Sequence, residues 1–274
     1  MNEKRITLEV LALALLFLGI MLFTVIGFAT KNWLPPVASL HGVGVDGVIT
    51  YLLITTGAIL VIGHLVLIAF LWRYSRGKPT QSPRTSPQLE RRWSVIPVLG
   101  MALIAEVGVL AKGLPVWEQV YGEVPDDALV IEVTAKQFEW IVRYPGVDGT
   151  FGRIALDLID GRTNPAGLDA DDPAALDDLI FRNALHVPVD RAIDVRLRSR
   201  DVLHSFSVNA FRVKQDVVPG IIGSTHFVPT LPGEYELGCA ELCGMGHYQM
   251  SGRVVVHTAE EFEQWLSNQA GWFE

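Results

Sequence analysis

Cysteine is almost absent from this chain of 274 residues: there are two, both inside the stretch CAELCGMGHYQM at positions 239–250. A disulfide framework is thereby excluded. At most one bridge could form, closing a tiny loop that constrains the unfolded chain little and must satisfy demanding geometry. Charge is also sparse, at 19% of residues, and acids are rare at the front: the first 112 positions hold five Asp/Glu against ten Lys/Arg. Half of the chain is hydrophobic, which is too apolar for an ordinary soluble domain and long enough for membrane anchors plus one domain.

The apolar residues are concentrated in positions 1–112. Three segments there approach the ~20 residues that a spanning helix needs: roughly 7–29, 48–72 and 93–111. Lys4 and Arg5 before the first would also suit a cleaved signal peptide. The run is long and uniformly apolar, with no clear small-x-small site close behind it, so a retained helix is expected. The loop RYSRGKPTQSPRTSPQLERR carries Arg73, Arg76, Lys78, Arg84, Arg91 and Arg92, and the positive-inside rule places it in the cytoplasm. Three crossings then put the N-terminus inside and everything after Lys112 outside the membrane. The expected organisation is a membrane anchor over 1–112 and an extracytoplasmic domain over 113–274.

The outer part reverses the charge balance, with 25 Asp/Glu against 12 Lys/Arg. An acidic surface serves solubility, and it also steers basic partners. Its texture is short alternating runs such as ALVIEVTAKQFEWIVRYPG, HVPVDRAIDVRLRSR and GRVVVHT, broken by Gly, Pro and Asp. These read as antiparallel strands of a β-sandwich or barrel. An acidic insert near 157–183 has no clear period and is expected as a surface excursion with one short helix. A terminal helix follows Thr258, whose N-cap role is supported by Glu261 three residues later.

The cysteine stretch offers two chemistries. One is a disulfide, since the domain faces an oxidising compartment. The other is a metal: Cys239, Cys243, His247 and Met250 form a soft ligand set that copper prefers, and RDVLHSFSV supplies a second imidazole, His204. Structural zinc has no use for methionine, and a blue copper site takes two His, one thiolate and a weak Met, leaving one cysteine too many. Two thiolates can instead bridge two copper ions. Each ion then takes one His, with Met250 weakly on one and a backbone carbonyl on the other. Such a closed site suits electron transfer.

The stretch closely resembles the C-x-E-x-C-x-x-x-H-x-x-M signature of the binuclear copper (CuA) centre, and the chain resembles subunit II of the haem–copper cytochrome c oxidases. RDVLHSF, RVKQDVVPG and LPGEYELGCAELCG are similar to that family's segments, in the same order, and the likeness covers most of Leu89–Thr258. It implies a mainly β, cupredoxin-like Greek-key domain behind N-terminal transmembrane helices. His204, Cys239, Cys243, His247 and Met250 match the copper ligands, and Glu241 matches the residue whose carbonyl completes the site. In the family that residue's carboxylate also reaches a magnesium or manganese ion at the subunit I interface. The aromatic cluster that receives electrons departs from the family pattern: QFEW puts Phe138 where the first Trp stands, while Trp140 matches the later one. Glu90, in LERRWSVIP, matches a glutamate at the mouth of a proton pathway.

The resemblance implies an electron-entry subunit of a respiratory terminal oxidase. It would accept electrons from a c-type cytochrome, or from a complex bearing haem c. It would pass them to haem in a separate catalytic subunit that reduces O2 to water and translocates protons. No C-x-x-C-H occurs, so a donor on a separate protein is expected, and nothing here resembles the multi-histidine helices that bind the O2-reducing haem. Three other readings stand beside it: a nitric oxide reductase partner, a metal-free structural subunit, and a copper-delivery protein. The intact ligand set argues against the metal-free subunit, and a ligand loop bounded by strands argues against copper delivery. Glu106, an acid inside the third apolar segment, marks a functional position, near the outer headgroups or against a neighbouring subunit. His64 is expected in helix packing or interhelical hydrogen bonding, and His186, His226 and His257 as satisfied domain histidines.

Overall fold

The computed structural model describes residues 3–30, 33–75 and 86–273; Arg76, Lys78 and Arg84 of the basic loop lie outside them. The chain divides into two compact units, Met1–Trp33 with Asp46–Pro115, and Leu34–Val45 with Val116–Glu274.

The first unit is helical. It contains α1 (Glu3–Thr30), most of α2 (Leu40–Ser75), α3 (Pro87–Met101), a π-helical segment at Ala102–Val107, and the start of α4 (Gly108–Tyr121). Leu8–Thr30, Leu40–Arg73 and Pro87–Tyr121 are each long and apolar enough to cross a membrane. α3 begins where the local chemistry dictates. Ser86 accepts a hydrogen bond from the Leu89 N–H through its hydroxyl, and Pro87 occupies the first turn, where a missing N–H costs nothing. The third helix runs on well beyond Ala111, to Tyr121.

The second unit is a two-sheet sandwich. Its strands are β1 (Leu129–Lys136), β2 (Glu139–Tyr144), β3 (Leu179–Arg182), β4 (Ala184–Pro188), β5 (Ile193–Ser199), β6 (His204–Val208), β7 (Val213–Val217), β8 (Gly223–Phe227), β9 (Gly233–Cys239) and β10 (Ser251–His257). One sheet has the order β3-β2-β1-β5-β8, the other β4-β10-β9-β6-β7. Between them lies a core that includes Ile131, Val133, Trp140, Leu185, Val195, Phe206, Phe211, Leu237 and Val254. The strands were expected to be antiparallel throughout, yet β1 pairs with β5 and β4 with β10 in parallel. The chain leaves the first sheet after β3, builds β4 in the other, and returns as β5. Such a crossover, unlike a hairpin, brings a strand back in parallel. Asn183 makes the switch between sheets. It alone separates β3 from β4, adopts a left-handed φ of 55°, and accepts the Trp140 N–H through its side-chain oxygen at 2.8 Å.

The excursion between β2 and β3 holds two 3-10 turns, Leu156–Leu158 and Pro173–Ala175, where one short helix was expected, and the end of the expected insert is β3 itself. Leu168 and Ala175 from the excursion close a small second core over Ile141 and Ile180, with Trp272 against it. Buried Arg143 ties the excursion down: it pairs with Glu132 at 3.1 Å and Asp178 at 2.6 Å, and donates to the Gly152 carbonyl. The segment before α2 is also strapped to the sandwich. The Ala38 N–H donates to the Ala210 carbonyl at 2.8 Å, and the Thr230 N–H to the Ala38 carbonyl at 2.9 Å. The closing helix α5 (Ala259–Ser267) carries the full reciprocal cap between Thr258 and Glu261.

Candidate metal centre

Cys239 is the last residue of β9, Met250 immediately precedes β10, and β9 and β10 are antiparallel neighbours. The eleven-residue connection 240–250 is therefore fixed at both ends by sheet. The Cys239 N–H donates to the Met250 carbonyl at 3.3 Å, and the His247 N–H to the Gly244 carbonyl at 3.1 Å. Gly244 takes φ 136°, where a side chain would be strained, and a Cβ there would lie 2.6 Å from the Gln137 amide. His204 opens β6, paired across to Val217 of β7, and is fully buried.

These positions bring the two thiols, two imidazoles and thioether together. The sulfurs of Cys239 and Cys243 are 3.9 Å apart, nearly twice a disulfide bond length, and both cysteines are free. Cys239 Sγ lies 3.9 Å from His204 Nδ1 and 3.1 Å from the Glu241 carbonyl oxygen. Cys243 Sγ lies 3.6 Å from His247 Nδ1 and 3.7 Å from Met250 Sδ. Burial, reinforced by the neighbouring Cys239, pushes the Cys243 thiol up to about 11. Two adjacent thiolates in a half-sealed pocket need cationic charge to form, which is what soft metal ions bring to such a ligand set.

Asp201 and Gln137, which sequence reasoning passed over, support the cluster. Asp201 Oδ1 lies 2.8 Å from His204 Nε2, so Nδ1 is the ring nitrogen that faces Cys239. Burial of Asp201 opposes its charge, but hydrogen bonds from the Gln137 N–H, His204 and the Val202 N–H hold its carboxyl below the usual range. The Gln137 side chain donates to the Cys243 carbonyl at 2.6 Å. The available signal was Asp201 in RDVLHSF, three residues before the histidine.

Phe138 belongs to the same assembly: its ring packs on Gly246, where a Cβ would meet it at 2.5 Å. Trp140 is fully buried and stands edge-on to both His204 and Phe206, so it backs the site from the core. Around the loop Leu242, Met245 and Tyr248 are exposed by 82%, 96% and 80%, an apolar collar at the mouth of the cluster. The Glu241 carboxylate is 3.3 Å from Lys214. Glu90 stands in the first turn of α3 and Glu106 in the π-helical segment, and both are exposed. His64 bonds the Leu60 carbonyl of its own helix, rather than another helix, and meets Phe17 edge-on. His226 faces the Gln119 carbonyl at 3.1 Å, and His186 and His257 contact each other at 2.9 Å.

A two-sheet sandwich with this ligand loop, preceded by apolar helices, defines a membrane-anchored cupredoxin-like domain. The family described as cytochrome c oxidase subunit II, periplasmic domain, matches residues 129–258. The alternative cytochrome c oxidase subunit 2 of Bradyrhizobium diazoefficiens is 34% identical over 260 residues, covering 94% of this chain and 91% of that one. The cytochrome c oxidase subunit 2 of Cereibacter sphaeroides is 30% identical, over 81% of this chain and 74% of that one. The crystal structure of the periplasmic domain of subunit II of cytochrome oxidase of Bradyrhizobium japonicum is 32% identical, covering 53% of this chain and 95% of that one at a TM-score of 0.39. The chain belongs to the cytochrome c oxidase subunit II family. It is an electron-entry subunit of a haem–copper oxidase, part of an oxidoreductase complex, and a membrane protein with an outer domain.

Proposed function

We propose that the outer domain holds a binuclear copper centre, takes electrons from a c-type cytochrome, and delivers them to the haem-bearing catalytic subunit of a proton-translocating oxidase that reduces O2 to water. One observation carries the reading: two free thiols 3.9 Å apart, each with one imidazole nitrogen within 3.9 Å. Bound copper supplies reversible one-electron chemistry at such a ligand set. His204, Cys239, Cys243, His247 and Met250 hold it with the Glu241 carbonyl, while Asp201 and Gln137 keep the first imidazole and the loop in place. Anchorage of the loop at both ends in sheet limits ligand motion between oxidation states. The collar of Leu242, Met245 and Tyr248 gives the donor a water-excluding seat, and Phe138, packed beneath Gly246, stands at the entry position. The acidic surface favours approach by a basic donor. The N-terminus and Glu90 lie on the cytoplasmic side in this reading, Glu90 at a proton entry, and the copper domain lies outside. A magnesium or manganese ion shared with the catalytic subunit would take the Glu241 carboxylate in place of Lys214.

The test is metal content together with the electron paramagnetic resonance spectrum of the purified, copper-loaded full chain. Two coppers per chain sharing one unpaired electron are expected, with that signature lost in Cys243→Ser. One copper with a localised signal overturns the binuclear reading. Failure to retain copper overturns it as well.

A further inference from the structure

Glu106 takes no part in the copper site, and its setting inside the membrane anchor is unusual. It lies in the π-helical segment Ala102–Val107 of a span running from Pro87 to Tyr121. Trp93 marks one end of the apolar stretch, as tryptophans at the membrane–water boundary do. Thirteen residues further on, at 1.5 Å each, Glu106 is about 20 Å deeper along the helix. That is inside a hydrocarbon core about 30 Å thick, not among the headgroups.

The neighbouring helix does not answer this charge. Tyr51 of α2 donates its hydroxyl hydrogen to the Ile104 carbonyl, where the π-helical turn disturbs the helical ladder. Gly108 makes room for that ring, since a Cβ there would fall on the Tyr51 side chain. Gly108 thus marks the face turned to α2. Two residues earlier, about half a turn round the helix, Glu106 projects from the opposite face and is exposed. Lys112, the basic residue nearest to it along the helix, lies 5.9 Å from the centre of the Tyr51 ring and is engaged there. Among the described residues Glu106 has no hydrogen-bond or ion-pair partner. Ionisable groups at this depth pair with one another or face a protein interior, and π-bulges cluster at functional positions.

We infer that Glu106 is a docking contact for a membrane helix of the catalytic subunit, one that presents a cationic or hydrogen-bond-donating side chain at the same depth. Membership of the subunit II family supplies such a neighbour, and charge complementarity selects the chemistry. The π-helical segment with its Tyr51 brace rotates the carboxylate away from α2 and toward the partner.

The experiment uses the assembled oxidase in native-like detergent. A photo-crosslinking residue at position 106 should join a membrane helix of the catalytic subunit, beside an Arg, Lys, His or hydroxyl-bearing residue. Charge reversal by Glu106→Lys should reduce co-purification of the two subunits at least tenfold, while Glu106→Gln, which can still accept a hydrogen bond, retains most of it. Copper content of the outer domain is read in each variant and should stay at the wild-type level, which separates lost docking from misfolding. Cross-links to lipid alone overturn the inference, and so does undiminished co-purification of Glu106→Lys. Loss of copper in step with loss of association also overturns it, because the defect would then be folding.

Discussion

In the helical anchor Phe23, Trp93 and Leu103 are exposed by 81%, 75% and 65%, whereas in the outer domain Trp140, Phe206 and Phe211 are fully buried. Two β-sheets facing each other close a core with residues of one chain. The anchor leaves its apolar surface to be covered by lipid and by other subunits. Polar groups divide in the same way. The sandwich pairs its buried Arg143 with Glu132 and Asp178 inside the chain, while Glu106 of the anchor has no partner among the described residues. The outer domain therefore closes its polar network within one chain, while the anchor turns apolar surface and a carboxylate to its surroundings.

The strongest way to break this comparison is to remove the charge at the centre of the outer domain. Burial pushes the Asp178 carboxyl up against the pull of Arg143, so the carboxylate relies on that guanidinium. Arg143→Leu should destabilise the sandwich by about 3–5 kcal/mol, since it leaves the buried Asp178 without its ion-pair partner and Glu132 with only Arg198 at 3.4 Å. The Gly152 carbonyl would lose its donor as well. Thermal melts of the full chain in detergent, read by near-ultraviolet circular dichroism for the sandwich and at a helical wavelength for the anchor, check this. Early loss of the sandwich signal with helical signal retained is expected, and simultaneous loss of both would contradict the independence of the two units.

A smaller effect is expected at the metal centre. Asp201→Asn keeps the shape but weakens the acceptor that fixes His204. Partners that orient a ligating histidine typically contribute 10–100-fold to metal affinity, so copper affinity should fall by about that factor with the fold unchanged. A competition titration against a copper chelator measures it. Unaltered affinity would mean that the sheet alone orients the imidazole.

What could be read in advance follows the range of the interactions involved. The ligand loop was legible because Cys239, Cys243, His247 and Met250 are neighbours along the chain, and the α5 cap because Thr258 and Glu261 are three residues apart. The three long apolar helices were legible from length and hydropathy. The parallel β1–β5 and β4–β10 ladders were not, since nothing local to either strand records its partner; the decisive residue, Asn183, acts through its backbone angle. The second core under the excursion was hidden for a similar reason. Leu168, Ala175 and Trp272 are irregularly spaced and meet only after the chain has folded back. Asp201 was in view, but its role depends on the imidazole pointing at it. The π-helical segment that turns Glu106 outward has no hydropathy signature at all.

The least of the expected effects concerns pH and belongs to the sandwich alone. His186 on β4 stacks on Trp265 of α5, and its Nδ1 meets His257 Nε2 of β10 at 2.9 Å. Burial, then the charges of His257 and Arg253, lower its pKa to about 4. His257 is also lowered, chiefly by burial and against the pull of Glu261. In the unfolded chain both histidines titrate near the ordinary value of about 6.5. Below that value the unfolded state binds more protons than the folded one. The neutral pair therefore stabilises the fold fully above about pH 6.5, and this contribution is lost as pH falls toward 4. Since the pair is only half-buried, solvent screening reduces the effect to about 1 kcal/mol. Melting temperature of the copper-loaded chain, followed by tryptophan fluorescence between about pH 7 and pH 5, should decline. His186→Phe preserves a ring against Trp265 while removing one titrating group, so it should flatten that decline. An equally steep decline in the variant would assign the pH dependence to other groups, leaving the stacked ring of His186 with a packing role alone.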